Sequence, residues 1–264
     1  MAEKFHEKPF DEATLTKLDL FRLYLRSALP VFINESKKNP NRITSLNIYD
    51  FFAGPGMDCE GNHGSPLIIV EELKGAWVKN LRDSDHKLAI NIFFNDYDSQ
   101  LIEKLEDNIK KISISNEICN IKFSSGAFRE ELPNHLSTMK GSQSANVVFL
   151  DQLGITGIVP EDIIHFTHCS WTDILFFISS SFAKRFPKDP GFQESLGFNP
   201  KEIDNTRYQD VHRFICNLFR NQLPSGTKYH LAPFSLKKNK SANIYGLVFG
   251  SGNLYGLEKF LEAC

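Results

Sequence analysis

The sequence predicts an α/β protein built on a doubly wound sheet of seven strands, with an antiparallel terminal strand. Short apolar runs alternate with stretches of helical periodicity through five successive strands, which is typical of a parallel sheet with crossover helices. Two further apolar runs near the carboxyl terminus favour a hairpin that completes the sheet. The first strand ends in Asp50 and a Gly54-Pro55-Gly56 turn, and such turns bind ligands at the carboxyl edge of parallel sheets.

Composition indicates an ordinary globular protein. Of 264 residues, 41% are hydrophobic and 23% are charged, and the net charge is −2. The chain therefore lacks an overall basic footprint for nucleic acid, although a local basic patch stays open. The five cysteines never form a C-x-x-C, which argues against a zinc knuckle and for a reducing compartment. With no apolar signal core and no uncharged run near the roughly 20 residues of a membrane span, we expect a cytoplasmic protein without membrane contact.

We expect a single domain over residues 1–264, in four successive parts. These are a leading helix and linker (1–44), a Rossmann-like core (45–178), an insertion with a helix (179–224) and a terminal hairpin with a closing helix (225–264). Residues 179–206 show no regular pattern, and a segment of that length predicts a functional insertion or lid.

Periodicity and helix-start signals predict the elements of the first half. Apolar side chains at helical spacing over residues 11–34 predict the leading helix. Ser65 and Pro66 suit the N-cap and the first position of a second helix that would reach Trp77. The remaining elements are strands over Leu46–Phe52, Leu88–Phe94 and Glu117–Phe123, and helices over Ser99–Ile112 and Glu130–Met139.

The second half continues the alternation and then changes to a hairpin. A fourth strand stops at Asp151, and a helix near Glu161–His168 leads to a fifth strand over Ile174–Ile178. Helical periodicity returns at about Tyr208. The closing elements are strands over Lys228–Phe234 and Ile244–Phe249, joined through the basic turn Lys237–Lys240, and a helix over Leu257–Leu261.

The run from Leu46 to Gly56 resembles the first motif of S-adenosylmethionine (AdoMet) methyltransferases, in its Asp-x-Phe-x-Gly-x-Gly form. The predicted cofactor-binding residues in this run are Asp50, Phe52, Gly54, Pro55 and Gly56. Glycines permit close backbone approach to a ligand. Asp50 contacts the amino-acid part of AdoMet, directly or through water, or else caps the loop backbone.

Two further loops supply candidate cofactor residues. Asp96 ends the second strand, where doubly wound cofactor proteins place an acid on the ribose hydroxyls. Tyr97 would stack near an adenine. Alternatively, the cluster Asn95-Asp96-Tyr97-Asp98 could be an ordinary turn that caps the next helix. After the third strand, Gly126 stands where methyltransferases often carry an acid for the adenine amine. We therefore expect the adenine contact to fall on Ala127 and Phe128.

Asp151 and Gln152 are the predicted catalytic residues. They follow the fourth strand and begin the run Asp151-Gln-Leu-Gly154. At this place the signature of aminomethyltransferases is Asp/Asn-Pro-Pro-Tyr/Phe, and Asp-Pro-Phe-Gly is a related form that this run resembles. In that motif the acid and the prolyl carbonyl hold an exocyclic amine. Gln152 replaces the proline and offers an amide oxygen without the fixed backbone. No cysteine stands here, and cytosine C5 methylation needs one as its nucleophile.

Three other patterns allow different interpretations. His165, His168 and Cys169 are spaced like metal ligands but have no second ligand pair, which favours a helix end and no metal. Asp58 and Glu72-Leu73-Lys74 match a restriction-type nuclease pattern, which requires the Glu-x-Lys part on a strand. The segment Phe182–Phe186 interleaves charge and aromatic rings, either as an RNA-facing loop or as an anchored surface loop.

Five stretches together resemble the three-Cys-motif partner protein (TcmP) family. They are Tyr49–Gly56, Gly64–Leu67, Phe149–Gly154, Phe177–Phe182 and Leu247–Ser251. The family is similar to class I AdoMet-dependent methyltransferases, and its name refers to three cysteines in an iron–sulfur partner. The resemblance implies a methyltransferase-like fold, AdoMet as cofactor and a radical-AdoMet-like iron–sulfur protein as partner.

Two functions from different classes follow. The first is an AdoMet-dependent N-methyltransferase that acts on nucleic acid together with the iron–sulfur partner. The second is a non-catalytic adaptor subunit with a degenerate methyltransferase fold, which the lost proline at Gln152 favours. A nuclease is a minor alternative.

Overall fold

The computed structural model describes residues 8–39, 41–75, 88–112, 119–152, 157–197, 199–237 and 244–264. Several sequence predictions fall partly outside these ranges, and three of them concern the bounds of secondary-structure elements. They are the end of the second helix at Trp77, the start of the third strand at Glu117 and the basic turn after Lys237.

Helices and strands alternate through the first five strands, as predicted. The elements in chain order are α1 (Glu12–Lys38), β1 (Ser45–Asp50), α2 (Ser65–Leu73), β2 (Ala89–Asp96), α3 (Ser99–Ile112), β3 (Asn120–Ser125), α4 (Phe128–Met139), β4 (Ser144–Leu150), α5 (Pro160–Thr167), β5 (Trp171–Ile178), α6 (Ser180–Arg185), α7 (Pro190–Leu196), α8 (Pro200–Asn205), a 3-10 turn (Tyr208–Asp210), α9 (Val211–Gln222), β6 (His230–Lys237), β7 (Ile244–Ser251) and α10 (Leu254–Ala263).

The strands form one seven-stranded sheet in the order β3-β2-β1-β4-β5-β7-β6. The β1 strand pairs in parallel with β2 and β4, and β2 pairs in parallel with β3. The β7 strand is antiparallel to both β5 and β6. This order and this antiparallel hairpin are those of the Rossmann-like methyltransferase fold, so the predicted fold class is confirmed.

The prediction of an irregular stretch over residues 179–206 is wrong. It contains three short helices, α6, α7 and α8. The Lys184 ammonium donates hydrogen bonds to the carbonyl oxygens of Ile203, Asp204 and Thr206 at the end of α8, at 2.6–2.9 Å. A lysine at a helix C-terminus satisfies carbonyls that have no partner within the helix. Each helix spans only one or two turns, which is too short for periodicity to reveal.

The chain divides into two compact units. One comprises the described residues of 1–149 together with 258–264, and the other those of 150–257. The first unit contains β1–β3, β4 as far as Phe149 and α1–α4, and it carries every predicted cofactor-binding residue. The second contains Asp151 and Gln152. Among the described residues, no helix has the length and apolar character to cross a bilayer.

A row of asparagines crosses the parallel strands of the first unit. Asn91, Asn47 and Asn146 are register partners on β2, β1 and β4. The Asn91 Nδ2 donates to Asn47 Oδ1 at 2.9 Å, and Asn47 Nδ2 donates to Asn146 Oδ1 at 3.0 Å. Asn146 in turn donates to the Met139 carbonyl at 3.0 Å. Because these amides are largely buried, a register shift would leave them without partners.

Different helices cover the two faces of the parallel strands of the first unit. On one face, the buried rings of Tyr49, Phe51 and Phe93 meet Phe128 and His135 of α4, with ring centroids 3.9–6.0 Å apart. On the other face, Phe21 of α1 stacks on Phe149 at 4.1 Å. Burial and the neighbouring Lys122 lower the pKa of His135, and Glu131 opposes them. The neutral imidazole therefore packs among the rings.

We expect Asn47→Ala to destabilise the protein by about 3 kcal/mol, because a half-buried donor on Asn91 and a buried acceptor on Asn146 each lose a partner at roughly 1–3 kcal/mol. Urea unfolding followed by circular dichroism measures the change. Asn120→Ala is the matched control, since Asn120 is the exposed register partner of Asn91 on β3. Its effect should stay within about 0.5 kcal/mol. Equal effects of the two substitutions would contradict the role of the row.

Candidate functional site

Each residue of the loop after β1, from Phe52 to Gly56, is held by a hydrogen bond to or from its backbone. The bonds are Phe52 N to Asp50 Oδ1 (3.2 Å), Ala53 N to Asn95 O (2.9 Å), Gly54 N to Asp96 Oδ2 (2.9 Å), Asn108 Nδ2 to Pro55 O (2.9 Å) and Gly64 N to Gly56 O (2.7 Å). Partners from the end of β2, from α3 and from the residue before α2 fix the turn. A loop fixed in this way loses little entropy when a ligand binds.

The two glycines of the turn have a backbone conformation that other residues rarely adopt. Gly54 has φ 58° and Gly56 has φ 82°. A Cβ at Gly56 would also lie 2.3 Å from Leu67 Cδ1 and 2.6 Å from Leu105 Cδ1. Both the left-handed conformation and the tight packing therefore require glycine at position 56.

Asp96 joins the glycine turn to the start of α3. Its Oδ2 accepts from Gly54 N, and its Oδ1 accepts from Asp98 N at 3.0 Å. Asp98 in turn accepts from Gln100 N at 2.9 Å, which is the helix-capping contact left open by the sequence. Asp96 is half-buried, and a carboxylate oxygen accepts more than one hydrogen bond. It can therefore hold the turn and still accept from a ligand hydroxyl.

Asn95 belongs to the site but is not among the predicted site residues. Its Nδ2 donates to the carbonyl oxygens of Phe51 (3.2 Å) and Gly126 (3.0 Å), which ties the loops after β1 and β3 together. Gly126 N also donates to Asp96 O at 3.1 Å. Asn95 Oδ1 is buried and has no hydrogen-bond partner among the described residues. In the sequence, Asn95 could have been recognised as a polar residue at the end of an apolar strand, directly before Asp96.

The loop after β3 places Ala127 and Phe128 at the start of α4, with Ala127 as the N-cap. Phe128 is buried and packs edge-on against Phe51 and at a tilt against Phe52, at centroid distances of 5.1 and 5.5 Å. Its contact with a ligand stays a prediction. A Cβ atom added at Gly126 would lie 3.0 Å from Glu131 Oε1. A carboxylate that the sequence did not indicate therefore lies beside the glycine.

Tyr97 and Asp50 lie at opposite extremes of exposure. The Tyr97 side chain is 83% exposed directly after Asp96, so its ring is available to a ligand. Asp50 is fully buried, and its Oδ1 accepts from Phe52 N. That contact corresponds to the loop cap that the sequence left open, while the contact of Asp50 with the cofactor stays a prediction. Phe52 is half-buried, and Pro55 is buried.

The polar loop Met57–Gly64 folds back on the turn as a small hairpin. Met57 and His63 form an antiparallel bridge, and Asp58 N donates to Asn62 O at 3.1 Å. The Asp58 carboxylate accepts from the amides of Phe10, Glu60 and Asn62 and from the Asn62 side chain, at 2.7–2.9 Å. Burial raises the pKa of Asp58, but these hydrogen bonds outweigh it and hold the pKa below its usual value.

The two predicted catalytic residues lie in the second unit, directly after β4. Asp151 is half-buried. Gln152 is 8% exposed, and its Oε1 has no hydrogen-bond partner among the described residues. A Cβ at Gly157 would lie 2.1 Å from that oxygen. The Gln152 side chain therefore packs against the Gly157 backbone, and its catalytic role stays a prediction.

The alternative motifs have structural roles in the described residues. Glu72 lies in helix α2 and accepts from Arg22 and Arg26 at 3.0 and 2.9 Å, so the Glu-x-Lys of the nuclease pattern is not on a strand. His165 and His168 lie at the end of α5. Among the described residues, no group of three or more His, Cys, Asp or Glu side chains could hold a metal ion.

No protein-family model and no curated protein matches the chain. Among solved structures, it is similar to a candidate O-methyltransferase from Klebsiella pneumoniae, with 10% identity, 92% of this chain and 90% of that chain covered, and a TM-score of 0.45. It is also similar to the magnesium protoporphyrin IX methyltransferase of Synechocystis PCC 6803 with bound S-adenosylhomocysteine, with 8% identity, 93% and 89% covered, and a TM-score of 0.36. These likenesses are distant, and the fold assignment rests on the strand order.

We expect Gly56→Ala to destabilise the protein by about 1–3 kcal/mol more than Gly61→Ala does. The two glycines have φ 82° and 83°, so both substitutions incur the same left-handed strain of about 1 kcal/mol. A Cβ at Gly61 meets nothing within 4 Å, whereas one at Gly56 collides with two leucines. Urea unfolding of the two variants measures the difference. Equal destabilisation would show that the turn is not packed as described.

Proposed function

We propose that the chain is an AdoMet-binding methyltransferase-like protein, with its cofactor site at the loops after β1, β2 and β3. The observation that carries this proposal is the position of Asp96. Its carboxylate fixes the glycine turn through Gly54 N and keeps acceptor capacity for ligand hydroxyls. In this fold, ligands bind at the carboxyl ends of the parallel strands.

The residues of the three loops suit the parts of a nucleoside cofactor. The Gly54–Gly56 turn lets the amino-acid part of the cofactor approach the backbone closely. Asp50 caps the same loop by accepting a hydrogen bond from Phe52 N. Asp96 accepts hydrogen bonds from the ribose hydroxyls. The exposed Tyr97 ring covers the adenine, and Ala127 and Phe128 border it. Glu131, beside Gly126, supplies the acceptor for the adenine amine in place of the missing acid.

Methyl transfer to an exocyclic amine of nucleic acid is the proposed reaction. AdoMet supplies an activated methyl group. Asp151 accepts a hydrogen bond from the amine N–H and orients the nitrogen lone pair, and the Gln152 amide oxygen has the same role. The nucleic-acid target and the iron–sulfur partner are supported by the sequence resemblance.

A non-catalytic adaptor is the second candidate function, and the burial of Gln152 favours it. The side-chain oxygen that should hold the amine packs against Gly157 and is not exposed. Incubation with methyl-labelled AdoMet and mixed RNA and DNA separates the two functions. Label transfer supports the enzyme, and cofactor binding without transfer supports the adaptor.

Asp96→Ala should abolish most of the affinity for S-adenosylhomocysteine. We expect micromolar binding to the native chain by calorimetry. The variant should bind roughly 10- to 100-fold more weakly, because a hydrogen bond to a charged group is worth about 1.5–3 kcal/mol. Asp98→Ala is the matched control, since this exposed neighbour caps α3. It should change the affinity less than about threefold. No binding to the native chain up to millimolar ligand would contradict the proposal.

Glu131→Gln should reduce the preference for adenine over hypoxanthine. The native carboxylate accepts from an amine but repels the 6-oxo group of S-inosylhomocysteine. We expect that analogue to bind at least about tenfold more weakly than S-adenosylhomocysteine. The glutamine amide of the variant can donate as well as accept, so the preference should shrink to a few fold.

Calorimetry with both nucleosides measures this preference. Glu130→Gln, an exposed change in the same first turn of α4, should leave it intact. An unaltered preference in Glu131→Gln would remove Glu131 from the site.

A further inference from the structure

The hairpin Met57–Gly64 connects two parts of the first unit that are distant in sequence. Its base lies on the glycine turn, because Gly64 N donates to Gly56 O at 2.7 Å. It also contacts the segment before α1, because Phe10 N donates to Asp58 Oδ2 at 2.7 Å. A further contact joins His63 Nδ1 to Glu71 Oε1 of α2 at 2.8 Å. The hairpin therefore contacts both the glycine turn Gly54–Gly56 and residues 8–11, which precede α1 and are called the leading segment below.

Asp58 is the residue on which this hairpin depends. It is 5% exposed and accepts hydrogen bonds from Glu60 at the tip of the hairpin, from Asn62 on the opposite strand and from Phe10. Bonds from N–H donors to a carboxylate are about twice as strong as neutral ones. A change at Phe10 therefore acts on the carboxylate that fixes the hairpin, and the hairpin acts on the Gly56 peptide.

The leading helix has its own attachment, independent of Asp58. Arg22 of α1 pairs with Glu71 at 2.8 Å and with Glu72 at 3.0 Å, and Arg26 pairs with Glu72 at 2.9 Å. The α1 N-terminus is capped by Asp11, which accepts from Thr14 N at 2.8 Å. These contacts of α1 involve neither Phe10 nor Asp58, so loss of the Phe10–Asp58 bond would leave them in place.

We propose that Asp58 is a positioning residue that couples docking of the leading segment to the cofactor affinity of the glycine turn. This inference rests on the proposed function, since the ligand is the same nucleoside. When Phe10 donates to Asp58, the hairpin holds the Gly56 carbonyl and the turn keeps its binding conformation. When the segment is released, the turn gains freedom that a ligand must then remove.

Thermodynamic linkage gives a test in the native chain. If the segment raises affinity for S-adenosylhomocysteine, then that ligand must stabilise the segment by the same factor. We expect the ligand to slow amide hydrogen exchange of Phe10 at least about fivefold, measured by NMR at saturation. A purely structural hydrogen bond would leave the rate unchanged.

Two substitutions at one position test the same coupling from the other side. Phe10→Pro removes the N–H donor, and Phe10→Ala keeps it while removing the ring. We expect Phe10→Pro to weaken S-adenosylhomocysteine binding about fivefold or more, at a temperature where circular dichroism shows a folded protein. Phe10→Ala should change the affinity less than about twofold.

Asp58→Asn supplies the second route if Phe10→Pro fails to fold, and should weaken binding in the same direction. Native-chain binding with unchanged Phe10 exchange and unchanged variant affinities overturns the inference alone. Absence of binding to the native chain overturns both the inference and the proposed function.

Discussion

The strand register across β2, β1 and β4 is the constraint on which the candidate site depends. In a parallel sheet, a shift by one residue would turn every side chain to the opposite face. Buried Asn47 forms hydrogen bonds with its register partners Asn91 and Asn146, so a shifted pairing would bury unsatisfied amides. The apolar residues around this row supply the burial but would tolerate a shift far better.

A fixed register sets how far each strand extends beyond its neighbour. Asp50 pairs with Phe94, so β2 continues through Asn95 and Asp96 beside the loop that follows β1. Asp96 thereby reaches Gly54 N, and Asn95 reaches the carbonyls of Phe51 and Gly126. Three loops that are distant in sequence become one surface with a fixed backbone. The site is thus a consequence of strand pairing as much as of the glycine motif.

The sequence predicted the elements with strong local signals and missed those that depend on tertiary contacts. Periodicity located the strands, and Ser65-Pro66 marked the start of α2, because those signals are local. The predicted cap is wrong by one residue, since the N-cap is Gly64 and Ser65 is the first residue of the helix. The short helices α6–α8 have too few turns for periodicity. The roles proposed for Glu131 and Asp58 could not be predicted from the sequence, because they depend on which loops lie adjacent. The carboxylate of Glu131 reaches back to Gly126 from the first turn of α4, a contact that spacing does not reveal.

A crystal structure of the chain with S-adenosylhomocysteine tests the central claim most directly. The account predicts the nucleoside against the Gly54–Gly56 turn, with its ribose hydroxyls within about 2.6–3.2 Å of the Asp96 carboxylate. The Gly54 N to Asp96 Oδ2 bond should remain as it is without ligand. A ligand bound elsewhere, or a turn that must rearrange before the nucleoside fits, would contradict a site organised in advance by the strand register.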